Sequence, residues 1–185
     1  MKAMTEQNLI DAFGGESQAH MRYLRFAMIT NKERFLNVAR LFFSIAKAET
    51  IHAHNHYQNL SHLQGGRTAN SGATFGPGKT LKNIELALIG ETFEVEEMYP
   101  VYVEVAKFQK EKKAQVSFER AFATEKKHKE LFEKAKKAVE QSKDMELDTV
   151  HVCSVCGYTL ERKEAPRKCP VCAAKQEKFI GFESK

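Results

Sequence analysis

The first 141 residues of this 185-residue chain contain no cysteine, and all four cysteines fall between positions 153 and 172. A disulfide framework is thereby excluded for most of the chain, which must be held together by a buried apolar core. Long apolar runs are lacking too. No stretch approaches the roughly 18 residues of a membrane-spanning helix, and the N-terminus (Met4-Thr5-Glu6-Gln7-Asn8) is polar where a secretion signal would be apolar. The expectation is a soluble, cytoplasmic protein with no membrane partner. In a reducing cytosol, two closely spaced Cys pairs read as a metal site rather than two disulfides. Motifs for binding RNA or DNA are absent as well. The net charge of +5, from 29 basic and 24 acidic residues, is concentrated between Lys126 and Lys143. It reads as the solvated face of a helix, and no nucleic-acid partner is expected.

What the chain does have is helical periodicity. Leu9, Ala12, Phe13, Ala19, Tyr23 and Phe26 recur every three or four residues over a first helix from Thr5 to about Thr30. Gly14-Gly15 weakens that helix and implies close backbone packing beside Glu16. A second helix is predicted from about Glu33 to His62, stopped by Gly65-Gly66. The following stretch (Gly65, Gly66, Gly72, Gly76, Pro77, Gly78) cannot be helical, and its length lets it cross a bundle of helices about 40 Å long from end to end. A third helix spans about Thr80 to Phe108, where Pro100 predicts a kink and a freed carbonyl near Glu96. After a short turn at Gln109 to Lys112, a fourth helix runs to about Gln141. The fold class is an all-α four-helix bundle with one long crossover, over residues 1–145, followed by a small Cys-rich metal-ribbon domain, residues 146–185.

The apolar stripes of these helices carry carboxylates, which are almost never buried without a partner. Glu49-Thr50-Ile51-His52 and Glu125-Lys126-Lys127-His128 each aim a carboxylate and an imidazole at one point, because residues three apart share a helix face. One such pair is common and weak evidence. Two, joined by Glu16, Glu91 and Glu94 on the other two helices, match the known pattern of di-iron and di-manganese bundles. Four carboxylates neutralise two divalent ions, which leaves Glu94 as an extra ligand that engages one oxidation state and releases in the other. His54 and His62 are assigned to solvent, and His20 and His56 to the core or to a layer outside the ligands. Tyr23 and Tyr99 are candidates to hydrogen-bond the ligating carboxylates.

Cys153-x2-Cys156-Gly157 and Cys169-x2-Cys172 supply four thiolates on two tight turns, a tetrahedral site. Gly157 is expected to bring a backbone N–H close to the sulfurs. A structural zinc ribbon has the same ligand set. Tyr158, Pro170, Phe179 and Phe182 form a candidate aromatic wrap around a small iron site.

Gly-Glu-Ser-Gln-Ala-His-Met-Arg-Tyr (15 to 23), Gly-Glu-Thr-Phe-Glu (90 to 94), Met-Tyr-Pro (98 to 100), both Glu-x-x-His quartets and the Cys array together resemble the rubrerythrins over essentially the whole chain. The resemblance implies a ferritin-like bundle with an oxo-bridged di-iron centre and a rubredoxin-like domain with one iron on four Cys, for which zinc can substitute. It implies reduction of hydrogen peroxide to water in protection against oxidative stress. Electrons would come from NAD(P)H through a separate rubredoxin or reductase. Glu94 and His52 match the positions between which one iron shifts, so with Tyr23 and Tyr99 they are the expected catalytic residues. The metal ligands would be Glu16, Glu49, His52, Glu91, Glu94, Glu125, His128 and the four cysteines. A head-to-tail homodimer is also implied, with electrons crossing from the Cys site of one subunit to the bundle of the other. Ala173 departs from single rubredoxins, which carry Gly after the last Cys, and predicts a strained turn. A ferritin-type ferroxidase and a zinc-ribbon interaction module are the competing functions. The Cys domain argues against the first and the buried carboxylates against the second.

Overall fold

The computed structural model describes residues 1–184. Five helices make the bundle: α1 (Ala3–Lys32), α2 (Leu36–Gln58), α3 (Thr80–Phe93), α4 (Tyr99–Phe108) and α5 (Lys112–Glu140). The sequence predicts one helix where α3 and α4 stand. Between them the backbone widens into a π-helical turn, Glu94–Met98. The N–H of Tyr99 donates to the carbonyl of Glu94, five residues back. The extra residue wound into this turn accommodates Pro100, which sits in the first turn of α4 where its missing N–H costs least.

The first helix ends two residues later than expected, and α2 starts at Leu36 rather than Glu33. Arg34 adopts a left-handed conformation (φ 68°), and the Phe35 N–H returns to the Thr30 carbonyl. At the far end α2 stops at Gln58, and the chain turns through the residues up to His62 that the sequence had given to the helix. The crossover then runs the length of α1. Gln7 donates to the carbonyl of Thr68, Gln18 to that of Gly72, and the Thr80 N–H reaches the Glu33 carboxylate. Gly14 is the place where the loop is seated: a Cβ there would lie 2.8 Å from that of Ala69.

Two apolar clusters fill the two ends of the bundle. Tyr23, Phe26, Phe42, Ile84 and Phe132 anchor one, with Phe42 and Phe132 ring centroids 5.0 Å apart. Leu9, Ala12, Tyr99, Val103 and Phe118 anchor the other. The acidic residues lie between these plugs, which keep bulk water from both ends of the site.

Beyond α5 come three short antiparallel strands, β1 (Val150–Cys153), β2 (Thr159–Glu161) and β3 (Phe179–Phe182), in the order β2-β1-β3. Within the chain the ribbon lies on its own bundle. The Asp144 carboxylate accepts the N–H groups of Asn37 and Val38, otherwise unpaired donors in the first turn of α2. That cap pulls the link across the bundle end. Arg40 then holds the carbonyls of Leu147, Asp148 and Phe182 at 2.7, 2.9 and 2.8 Å. Met145 and Val150 are buried in the same apolar cluster as Phe42, and Val152 packs on Ala48 and Ile51. Phe182 also turns to the bundle. It is therefore no part of a wrap around the cysteines, and Pro170 is exposed.

Candidate metal centres

Helices α1, α2, α3 and α5 each send one or two polar side chains into the space between the apolar plugs. Glu16, Glu49, His52, Glu91, Glu125 and His128 are all 1% exposed or less. They form two overlapping groups: Glu16, Glu49, His52 and Glu125, and Glu49, Glu91, Glu125 and His128. Glu49 and Glu125 belong to both. Glu125 places Oε1 at 2.8 Å from His52 Nδ1 and Oε2 at 2.6 Å from His128 Nδ1. Glu49 does the same with Oε2 at 3.0 Å and Oε1 at 3.2 Å. Each of these carboxylates thus spans the two halves, while Glu16 and Glu91 serve one half each.

The donor set fits a pair of divalent ions. A single Nδ1–H cannot be shared among the carboxylates crowded around it, and Glu16 Oε2, Glu49 Oε1, Glu91 Oε2, both oxygens of Glu125 and His128 Nδ1 are buried without a hydrogen-bond partner. Lone pairs that converge in this way need a cation. Electrostatics agrees. Burial, with the charges of Glu125 and Glu49, raises Glu16 to about 8, and burial raises Glu91 to about 8 as well. Both imidazoles are pushed well above their ordinary value, since the carboxylates around them outweigh burial. The protons held this way are those that metal ions would displace.

Around the ligands runs a second layer of hydrogen bonds. Tyr23 donates to Glu91 Oε1 at 2.6 Å, and the Tyr99 hydroxyl donates to Glu16 Oε1. With its own hydrogen on Glu16, Tyr99 accepts from His56 Nε2 at 3.1 Å, and His56 Nδ1 accepts from Ser117 at 2.9 Å. His56 is therefore neutral. Burial, aided by His52, lowers it to about 3. His20 bonds the Ala46 carbonyl, His54 is exposed, and His62 pairs with Glu6 at the surface.

Glu94 is not in either ligand group. Wound into the π turn, it is half-buried and faces a small cavity. Burial and the charges of Glu16, Glu125, Glu91 and Glu49 raise it well above the carboxylate range.

The four cysteines form the remaining cluster. All are free, and the Sγ atoms of Cys153 and Cys172 and of Cys156 and Cys169 lie 3.6 Å apart. The two turns are copies of one another: Gly157 N–H donates to the Cys153 carbonyl at 2.8 Å and Ala173 N–H to the Cys169 carbonyl at 2.9 Å. The Gly157 N–H itself meets a carbonyl, while the backbone N–H groups of Val155 and Cys156 turn to the Cys153 sulfur and that of Tyr158 to the Cys156 sulfur, as the sequence suggested of this turn. Ala173 is left-handed (φ 61°), as its departure from glycine predicts. Tyr158 and Phe179 pack beside the cysteines.

The ribbon stands directly over the histidines. Thr159 Oγ1 lies 3.0 Å from His128 Nε2 and gives its own hydrogen to the Gly157 carbonyl. It must then accept from His128 Nε2–H, which leaves Nδ1 free as a ligand. Gly157 covers His52 so closely that a Cβ would sit 2.2 Å from His52 Nε2. Neither contact was legible in the sequence. Gly157 was visible as a turn residue, and Thr159 carried no signal at all.

Comparison with known proteins agrees with this arrangement. Residues 7–136 match the family model for rubrerythrin, and residues 151–180 match that for the rubrerythrin rubredoxin-like domain. The chain belongs to the rubrerythrin family. It is 40% identical over 180 residues to rubrerythrin-2 of Clostridium acetobutylicum, an alignment that covers 97% of each chain. It is also 30% identical to nigerythrin of Nitratidesulfovibrio vulgaris, over 96% of this chain and 86% of the relative. A nigerythrin structure described as fully reduced and all ferrous superposes with a TM-score of 0.83 at 29% identity, covering 96% of this chain and 86% of that one. The rubrerythrin fold, the carboxylate and histidine ligand set of a di-iron centre and the four-Cys rubredoxin-like site are all present.

Proposed function

We propose that this rubrerythrin is a non-haem di-iron peroxidase that reduces hydrogen peroxide to two waters, taking two electrons and two protons for each O–O bond broken. The observation that carries the reading is the seating of the Cys ribbon on His52 and His128. A zinc ribbon with a merely structural role has no need of that contact, and an iron-storing ferroxidase has no need of the ribbon. Bound iron pairs would supply the redox chemistry. The residues do the rest. Glu49 and Glu125 would each serve both metal positions, Tyr23 and Tyr99 orient Glu91 and Glu16, and the apolar plugs exclude bulk water. Glu94 holds a proton on the open side of the cluster, and its position outside both groups supports engagement in one oxidation state only.

Cys153, Cys156, Cys169 and Cys172 would hold the iron that accepts electrons from an NAD(P)H-dependent reductase or rubredoxin, and the Gly157 and Thr159 contacts join that ribbon to the imidazoles. The docking of the ribbon on its own bundle supports transfer within one chain, including within a homodimer. No helix is long and apolar enough to cross a membrane, and four free thiols suit a reducing cytoplasm.

The test joins a reductase, NADH and peroxide to iron-loaded protein. Peroxide-dependent NADH oxidation without oxygen release is expected, and Cys153→Ser should abolish it while chemically reduced protein still consumes one peroxide per di-iron centre. Oxygen release, or iron accumulating as mineral, contradicts the peroxidase. Mixed dimers locate the route: one chain carries Glu125→Ala and His128→Ala, the other Cys153→Ser and Cys156→Ser. Within-chain transfer leaves verified heterodimers inactive, and recovery of activity would show transfer between subunits.

A further inference from the structure

A cavity of about 100 Å³ lies between α1, the crossover and the π turn, with Glu94 on its wall. It is opened by small residues. Gly15, Gly72 and Gly90 line it, and a Cβ at Gly90 would stand 3.5 Å from Arg22 Nη2 and 3.9 Å from the Tyr23 hydroxyl. Two of its polar groups are unsatisfied. Arg22 Nε and Thr74 Oγ1 are buried with no hydrogen-bond partner. The Arg22 guanidinium bonds Gln18 through Nη1 but is in no ion pair among the described residues. Neither group belongs to the metal ligands or to the layer of tyrosines and His56 behind them. An Arg22 Nε–H and a Thr74 hydroxyl left without partners beside the Glu94 carboxyl require a small polar guest.

We propose that this cavity is the antechamber of the metal centre, where Arg22 and Thr74 receive and orient hydrogen peroxide before it passes Glu94. This rests on the peroxidase reading and names the groups that select its substrate. Peroxide suits the place. Each oxygen both donates and accepts, so Arg22 N–H donates to one oxygen, Thr74 hydrogen-bonds with the other, and Glu94 accepts or donates at the inner end. The volume holds about three water-sized molecules, at roughly 30 Å³ each, which admits peroxide and excludes an aryl-alkyl hydroperoxide. The crossover that seats on Gly14 and pairs with Gln7 and Gln18 forms the roof, so the long connection between α2 and α3 builds the entrance.

The test uses full-length, iron-loaded protein with Arg22→Met, Arg22→Lys and Thr74→Val. Iron content and visible spectrum should match the wild type in all three. The second-order rate constant of reduced protein with hydrogen peroxide should fall about tenfold or more in Arg22→Met, as for loss of a charge-assisted hydrogen bond, and several-fold in Thr74→Val. Arg22→Lys should recover part of the loss, and the rate at saturating peroxide should be unchanged throughout. Wild type should react far more slowly with cumene hydroperoxide. Variants with wild-type rate constants, or with lost iron and a lower saturating rate, overturn the antechamber while leaving the peroxidase standing. A wild type that reduces no peroxide at all overturns both.

Discussion

Gly157→Ala isolates the contact through which the ribbon meets the metal centre. The new methyl would lie 2.2 Å from His52 Nε2, 2.5 Å from Cδ2 and 3.3 Å from the Ala48 carbonyl. His52 cannot retreat, because Nδ1 is held within 3.0 Å of Glu49 and 2.8 Å of Glu125. The ribbon must therefore lift by about 1 Å to restore van der Waals separation. The left-handed backbone at Gly157 (φ 82°) adds about 1–2 kcal/mol for any side chain. Ala173 separates these two effects, since it occupies the same place in the second turn with φ 61° and is exposed. A left-handed alanine is thus compatible with the Cys site itself. Backbone strain alone predicts a fall in Tm of about 2–8 °C, at roughly 2–4 °C per kcal/mol for a chain of this size, with the clash adding to it. Reductase-linked turnover should drop sharply, while chemically reduced variant still consumes peroxide at the wild-type rate and keeps its red Cys-bound iron. Full linked turnover in Gly157→Ala would refute the idea that this contact carries electrons.

Three further outcomes are expected. Glu94→Ala should retain both bundle irons, since four carboxylates remain to neutralise them, yet reduce peroxide about a hundredfold more slowly; failure to bind iron would make Glu94 an obligatory ligand. Thr159→Val should lower bundle iron affinity or turnover by about tenfold or more, through loss of the hydrogen bond that fixes His128, and unchanged values would remove Thr159 from the account. Metal-free protein should lose stability as pH rises from about 4.5 to 8. Glu16 and Glu91, raised to about 8 in the folded chain, hold protons there that the unfolded chain has already released. The raised His52 and His128 act in the same direction, contributing stability that is lost as pH rises through their folded values. Iron binding requires deprotonated ligands and improves with pH, so thermal melts of the loaded and metal-free forms should diverge towards pH 8. Parallel curves would contradict the shared buried charge.

Periodicity made the bundle legible, because Leu9, Phe26, Phe42, Ile84 and Phe132 repeat at helical spacing and each helix must bury that stripe. The same spacing exposed Glu16, Glu49, His52, Glu91, Glu125 and His128, whose positions on an apolar face conflict with their polarity. Pro100 announced a disturbance but not its form. A kink and a π turn answer the same missing N–H, and the choice depends on packing around Met98 and Tyr99. The place of the ribbon was hidden for a different reason. Its docking follows from Asp144 capping α2 and Arg40 gathering three carbonyls, contacts between residues about 107 positions apart along the chain that no local pattern reveals. Thr159 and Arg22 were illegible on the same ground: each acts through what lies opposite it.

Anaerobic mixing of the all-ferrous, iron-loaded protein with hydrogen peroxide tests the central claim most directly, read by metal analysis and the visible spectrum of the Cys-bound iron. Three irons per chain, three peroxides consumed for every two chains with no oxygen released (one electron from each iron, two taken by each peroxide), and return of the red colour at a rate independent of protein concentration are predicted. A colourless chain carrying zinc on its cysteines, or an iron-loaded chain that leaves peroxide untouched, would contradict it.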